Sequence, residues 1–110
     1  MKHVRLRIEK KEWRAYLARY PWEWLLGTYG KEMEGKAMVF LFPFSLKLGF
    51  HNYWGKSPIY VAFFDENYRI FALEKMLPGT KSPSYKCKGA IEWLSDPGDV
   101  VGKHLKLIFS

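Results

Sequence analysis

Phe50-His51-Asn52-Tyr53-Trp54-Gly55-Lys56-Ser57-Pro58-Ile59-Tyr60-Val61-Ala62-Phe63-Phe64-Asp65 is the stretch whose reading decides the fold. Its second half, Ile59 to Phe64, is apolar on both faces, the pattern of a strand covered on both sides at the centre of a sheet. Its first half ends an alternating run that begins at Phe44. Leu46, Leu48, Phe50, Asn52 and Trp54 fall on one face, and Lys47, Gly49, His51 and Tyr53 on the other. Period two predicts a strand. Gly55 and Pro58 break the chain between the halves. The residues just before a central strand lie at the edge of the core, where a small domain tends to place a site.

Downstream, Asp65-Glu66-Asn67-Tyr68 reads as a turn and Arg69 to Met76 as the second arm of a hairpin. Leu77 to Lys88 holds Pro78, Gly79 and Pro83 and reads as a loop. Ala90 to Leu94 and Lys103 to Phe109 are the last strands, parted by Asp96-Pro97-Gly98-Asp99.

Upstream, Ala37 to Phe42 is a buried strand that Pro43 should end, and His3 to Ile8 alternates as a half-exposed strand with Arg5 and Arg7 outward. From Lys10 the period changes. Trp13, Tyr16, Leu17 and Tyr20 take the spacing of an amphipathic helix that Pro21 ends. Trp22 to Leu26 reads as a second short helix stopped by Gly27, and Gly30 to Gly35 as a polar turn. Together these elements predict an α+β fold. We expect one compact domain over residues 1–110, a strongly bent, mainly antiparallel sheet forming a partial barrel, and one or two N-terminal helices.

Composition narrows the class. Five Trp, seven Tyr and eight Phe are more rings than a core this small should hold, so some must lie at the surface and mark a binding face. Surplus rings allow either a monomer or a homodimer. The single cysteine, Cys87, rules out an internal disulfide. Lys86 and Lys88 beside it would favour a reactive thiolate, but no His or acid stands at a useful spacing. The net charge is +7, yet between Ala37 and Phe64 the charges are Lys47 and Lys56 alone. The positive excess is therefore spread around a core segment rather than gathered in a run. The apolar run from Ala37 to Phe44 is too short to span a membrane, and the basic start has no apolar stretch of a signal peptide. A cytoplasmic location is expected. The absence of Gln, with only two Asn, suggests a source in a hot environment.

A family resemblance is carried by Gly35, Met38-Val39-Phe40, His51, Pro58-Ile59, Phe63-Phe64-Asp65 and Ala90-Ile91-Glu92. This set resembles the prokaryotic family called domain of unknown function 192, in its archaeal form. Two positions depart from that pattern: Asn52 stands where the family has Met, and Tyr60 where it has Asp. The resemblance implies a compact β-rich domain and supplies no mechanism.

His51 is the leading polar candidate. An imidazole can serve as base, ligand or phosphate contact near neutral pH. Its strand face offers Lys47 and Tyr53, and Tyr60 on the next strand is placed to join them. Cationic donors with an aromatic wall suit an anion. The simpler reading is a His hydrogen-bonded at the sheet rim. Acid–base hydrolysis wants two carboxylates roughly 5–10 Å apart across a cleft. Asp65 and Glu66 sit in a turn, while Glu74 and Glu92 lie among apolar strand residues and would need a partner such as Arg69 or a Lys if buried. His3, His51 and His104 lack metal-ligand spacing, and no phosphate-cradling glycine loop is present, so neither metal nor cofactor is expected. The expected function is a non-catalytic binding module for an anionic or small-molecule ligand. Single-stranded nucleic-acid binding through Arg5, Arg7, Lys47, Tyr53, Trp54 and Lys56 is one alternative. A small hydrolase using His51 is another.

Overall fold

The computed structural model describes residues 1–26 and 32–109. Its elements are β1 (Lys2–Ile8), β2 (Lys11–Ala18), α1 (Pro21–Leu26), β3 (Lys36–Leu48), β4 (Ile59–Phe64), β5 (Ile70–Met76), β6 (Tyr85–Trp93) and β7 (Leu105–Ile108). The strands form one seven-stranded sheet in the order β5-β4-β6-β3-β2-β1-β7. Its pairs are antiparallel except β2 with β3, which run parallel.

The α+β expectation is overturned. Among the described residues the fold is nearly all sheet, and α1 is a six-residue helix. The helix read over Lys10 to Tyr20 is strand β2. Ile8 faces Lys11 across a tight turn at Glu9-Lys10, so β2 folds straight back onto β1. Glu9 takes a positive φ of 54° there, with neither Gly nor Asn to announce the turn. Trp13, Ala15 and Leu17 join one core cluster and Tyr16 and Ala18 the other. Burial on both faces erases the alternation of the second half of β2, and helical spacing was left as the visible pattern.

The short helix read over Trp22 to Leu26 is α1. Pro21 occupies its first turn, and the Glu23 carboxylate accepts hydrogen bonds from the Arg19 and Tyr20 amides at 2.9 and 3.3 Å. The stop at Gly27 and the start of the turn at Gly30 lie outside the described residues.

Pro43 does not end its strand. β3 runs on to Leu48 through a register shift between Leu41 and Leu46. A bulge is where a strand tolerates a residue with no N–H. The Pro43 carbonyl accepts a hydrogen bond from Lys88 Nζ at 2.8 Å. β4 is also not central. It is second from the edge, and β3 holds the middle. Both strands are apolar on both faces because both sides of the sheet carry a core. The first cluster gathers Val4, Leu6, Ile8, Val39, Phe64, Ile91 and Trp93. The second gathers Tyr16, Met38, Phe40, Ile59, Val61 and Phe63, under a cover that includes Trp24 of α1 and Phe50.

The two edge strands approach at one corner. Ile70 N–H donates to Lys103 O at 2.8 Å, Gly102 N–H to Ile70 O at 2.7 Å and Leu105 N–H to Tyr68 O at 2.9 Å. Curvature in the middle of the sheet needs Gly89. A Cβ there would lie 2.2 Å from the Phe40 carbonyl and 2.3 Å from the Phe64 ring.

Candidate functional site

The segment after β3 crosses the second core cluster and positions His51. It pairs with the segment after β5: Ser82 N–H donates to Phe50 O, Asn52 N–H to Thr80 O and Gly79 N–H to Asn52 O, each at 2.8 Å. His51 and Lys81 form the bridge between the two. Alternation then turns Phe50 inward against Phe40 and Phe63, at ring distances of 5.0 and 5.8 Å. Asn52 is also inward and buried, and its amide donates to Ser57 O at 2.9 Å and Met76 O at 3.0 Å. That clamp shapes the turn over residues 52–57. Gly55 closes it, because a Cβ at Gly55 would sit 1.8 Å from Asn52 Oδ1.

The outward residues form an aromatic rim. His51 stacks on Tyr53 with centroids 4.7 Å apart and planes 18° from parallel. Trp54 meets His51 edge-on at 5.3 Å and is 85% exposed. Among the described residues His51 makes no ion pair with a carboxylate.

Below the rim lies a pocket of about 290 Å³ between this segment and the end of β6. The exposed His51, Tyr53, Trp54, Lys56 and Leu94 line it together with the buried Ile59 and Glu92. Glu92 is only 8% exposed and stands in register between Met38 and Val61, both apolar. Sequence reading required a cationic partner for a buried carboxylate. Glu92 forms no ion pair among the described residues. Burial instead pushes its carboxyl up from 4.5 to about 7, so the proton takes the place of the partner. Glu74, the other candidate, accepts a hydrogen bond from the Tyr85 hydroxyl at 2.5 Å.

The four residues predicted to bind a ligand are not all brought together. His51 and Tyr53 share the rim. Lys47 is exposed opposite Lys86 on β6, outside the pocket. Tyr60 points to the other face of β4, into the first cluster, with Lys75 Nζ 5.9 Å from its ring. Cys87 is buried, and burial raises its thiol to about 11 against a smaller opposite effect of the Gly89 backbone. Burial and the raised pKa both work against a reactive thiolate.

A second site was missed in the sequence. At the rim of the face of β1, β2 and β3 that carries the second cluster, Arg5 stands opposite Arg14, and Arg14 beside Lys36. His3 and Tyr16 lie in the next row, their rings 4.8 Å apart. These five residues line a cleft of about 390 Å³. Lys36 Nζ lies 5.5 Å from the centroid of the Tyr16 ring. Arg5 and Arg7 share Glu12, at 3.0 and 3.2 Å. Arg14 and Lys36 pair with no carboxylate among the described residues. The signal was the length of the hairpin. Once Lys11 to Ala18 is read as a strand, Arg14 falls opposite Arg5.

No family model matches the chain, and no curated protein does. Two solved structures are similar to it. A protein of unknown function from Novosphingobium aromaticivorans aligns with a TM-score of 0.73 at 16% identity, over 94% of this chain and 83% of its own. A proposed transcription regulator from Sinorhizobium meliloti aligns with a TM-score of 0.77 at 17% identity, over 96% of this chain and 94% of its own. At this identity the likeness is one of fold alone. No helix among the described residues is long and apolar enough to cross a membrane.

Proposed function

We propose that the chain is a binding module for a small anionic ligand, taken in the cleft of β1, β2 and β3. One observation carries this reading: Arg14 and Lys36 stand side by side with no acid of the described chain paired to them, beside Arg5 and with Lys36 over the Tyr16 ring. Adjacent strands lie about 4.8 Å apart, so Arg14 and Lys36 in one row can span the oxygens of a phosphate or polyphosphate group, with Arg5, held by Glu12, at their side. Tyr16 is itself buried and serves as a wall. The cleft shows cationic donors and no nucleophile, which suits retention rather than turnover. The resemblance to domain of unknown function 192, carried by the short motifs at Gly35 to Phe40, His51, Pro58-Ile59, Phe63 to Asp65 and Ala90 to Glu92, adds no activity.

Titration with inorganic pyrophosphate tests the reading. Wild type is expected to bind saturably, and Arg14→Ala with Lys36→Ala together to weaken binding at least about tenfold, since hydrogen bonds to charged groups are worth about 1.5–3 kcal/mol. Unchanged binding in the double variant rejects it. A single-stranded nucleic acid is the second reading, favoured by the open row of cations and by the fold shared with the proposed regulator. It predicts that affinity for an oligonucleotide falls with salt, and that the slope drops by about 0.7 for each cation removed.

A further inference from the structure

The pocket under the aromatic rim is chemically the reverse of the basic cleft. Its lining includes Glu92, a residue more than nine-tenths buried, with no cation of the described chain paired to it. Its mouth is lined by three rings, His51, Tyr53 and Trp54, which the Asn52 clamp and Gly55 hold in place. An anion would meet the carboxyl and is disfavoured. A metal ion wants several hard or imidazole ligands, and no three His, Cys, Asp or Glu side chains gather among the described residues. Exposed rings that share a pocket with a single buried acid suit a cation that carries its own apolar shell.

We propose that this pocket binds a small alkylammonium ion, its charge toward Glu92 and its methyl groups against Tyr53 and Trp54. The volume of about 290 Å³ admits a molecule of the size of tetramethylammonium or choline. Lys56 lines the same pocket and makes no ion pair among the described residues, so it opposes the ligand charge. The bound cation favours the carboxylate, and binding therefore expels the proton that Glu92 holds near neutral pH. The titratable groups that line the pocket with Glu92 are His51, Tyr53 and Lys56, and its register neighbours on the adjacent strands are the apolar Met38 and Val61.

The test is an NMR titration that follows the Trp54 indole with tetramethylammonium chloride at constant ionic strength. tert-Butanol serves as the uncharged mimic. Saturable shifts with the cation and none with the alcohol are expected. Trp54→Ala, followed at the Tyr53 amide, and Glu92→Gln should each weaken binding about tenfold or more, and Lys56→Ala should tighten it. Affinity should rise about tenfold per pH unit toward pH 7 and level off above it. His51→Phe keeps the ring and should keep that profile, while Glu92→Gln should abolish it. Equal binding of the alcohol, a profile that follows His51, or no saturation by tetramethylammonium overturns the proposal. Circular dichroism of each variant establishes that loss of binding is not loss of fold.

Discussion

Glu92 is where the chemistry of one residue has the widest reach. Its carboxyl is protonated below about pH 4.5 in the unfolded chain but up to about 7 in the folded one. Between those values the native state holds one more proton, so this group makes stability fall as pH rises through the window. The loss is on the order of 3 kcal/mol. Urea unfolding at pH 4.5 and pH 8 measures it. Glu92→Gln is expected to remove most of the decline and to be more stable than wild type at pH 8; parallel curves for the two proteins would show that Glu92 is not desolvated. Asn52 teaches a related lesson. Read as a departure from a family pattern, it is the buried clamp that presents the rim, and its role follows from two backbone carbonyls far apart in sequence, Ser57 and Met76.

At the scale of elements, the β1–β2 hairpin and the long β3 strand decide what the surface offers. The hairpin sets Arg5 against Arg14 and so creates the basic cleft. β3 carries Lys47 past the bulge to face Lys86 on β6. Like charges directly opposite on a sheet are destabilising. Lys47→Glu should therefore stabilise the protein by about 0.2–1 kcal/mol, visible as a small rise in Tm that shrinks in high salt. A fall in Tm would show that Lys47 has a favourable role that its exposed position does not reveal.

The whole molecule is a sheet with a core on each face, and its curvature passes through Gly89. The backbone of Phe40 cannot retreat from a side chain at that point, and the Phe64 ring lies over it. Gly89→Ala is expected to destabilise by about 1–3 kcal/mol or more, by overpacking, as a lower urea midpoint with little change in slope. A near-neutral result would mean that β4 and β6 can separate without loss. The two proposed sites sit on different parts of the sheet, one on β1, β2 and β3 and the other at the end of β6. They are of opposite charge preference, so each can be abolished with the other intact.

Much of the strand pattern was legible. His3 to Ile8, Ala37 to Phe42, Ile59 to Phe64, Arg69 to Met76, Ala90 to Leu94 and Lys103 to Phe109 all fall largely within strands. Alternation and double-sided burial are local consequences of the pleat, and they can be read along the chain. His51 and Tyr53 could likewise be paired from their spacing of two. What the chain by itself could not determine was Lys11 to Ala18. Trp13, Tyr16, Leu17 and Tyr20 happen to fall at helical spacing, and only pairing with β1 and β3 makes Lys11 to Ala18 a strand. The surroundings of Tyr60, Lys47, Glu92 and Arg14 were hidden for the same reason. Which face a strand residue meets, and what stands across from it, is set by strand order and register. Those are properties of contacts between distant segments, and only the tertiary structure decides them.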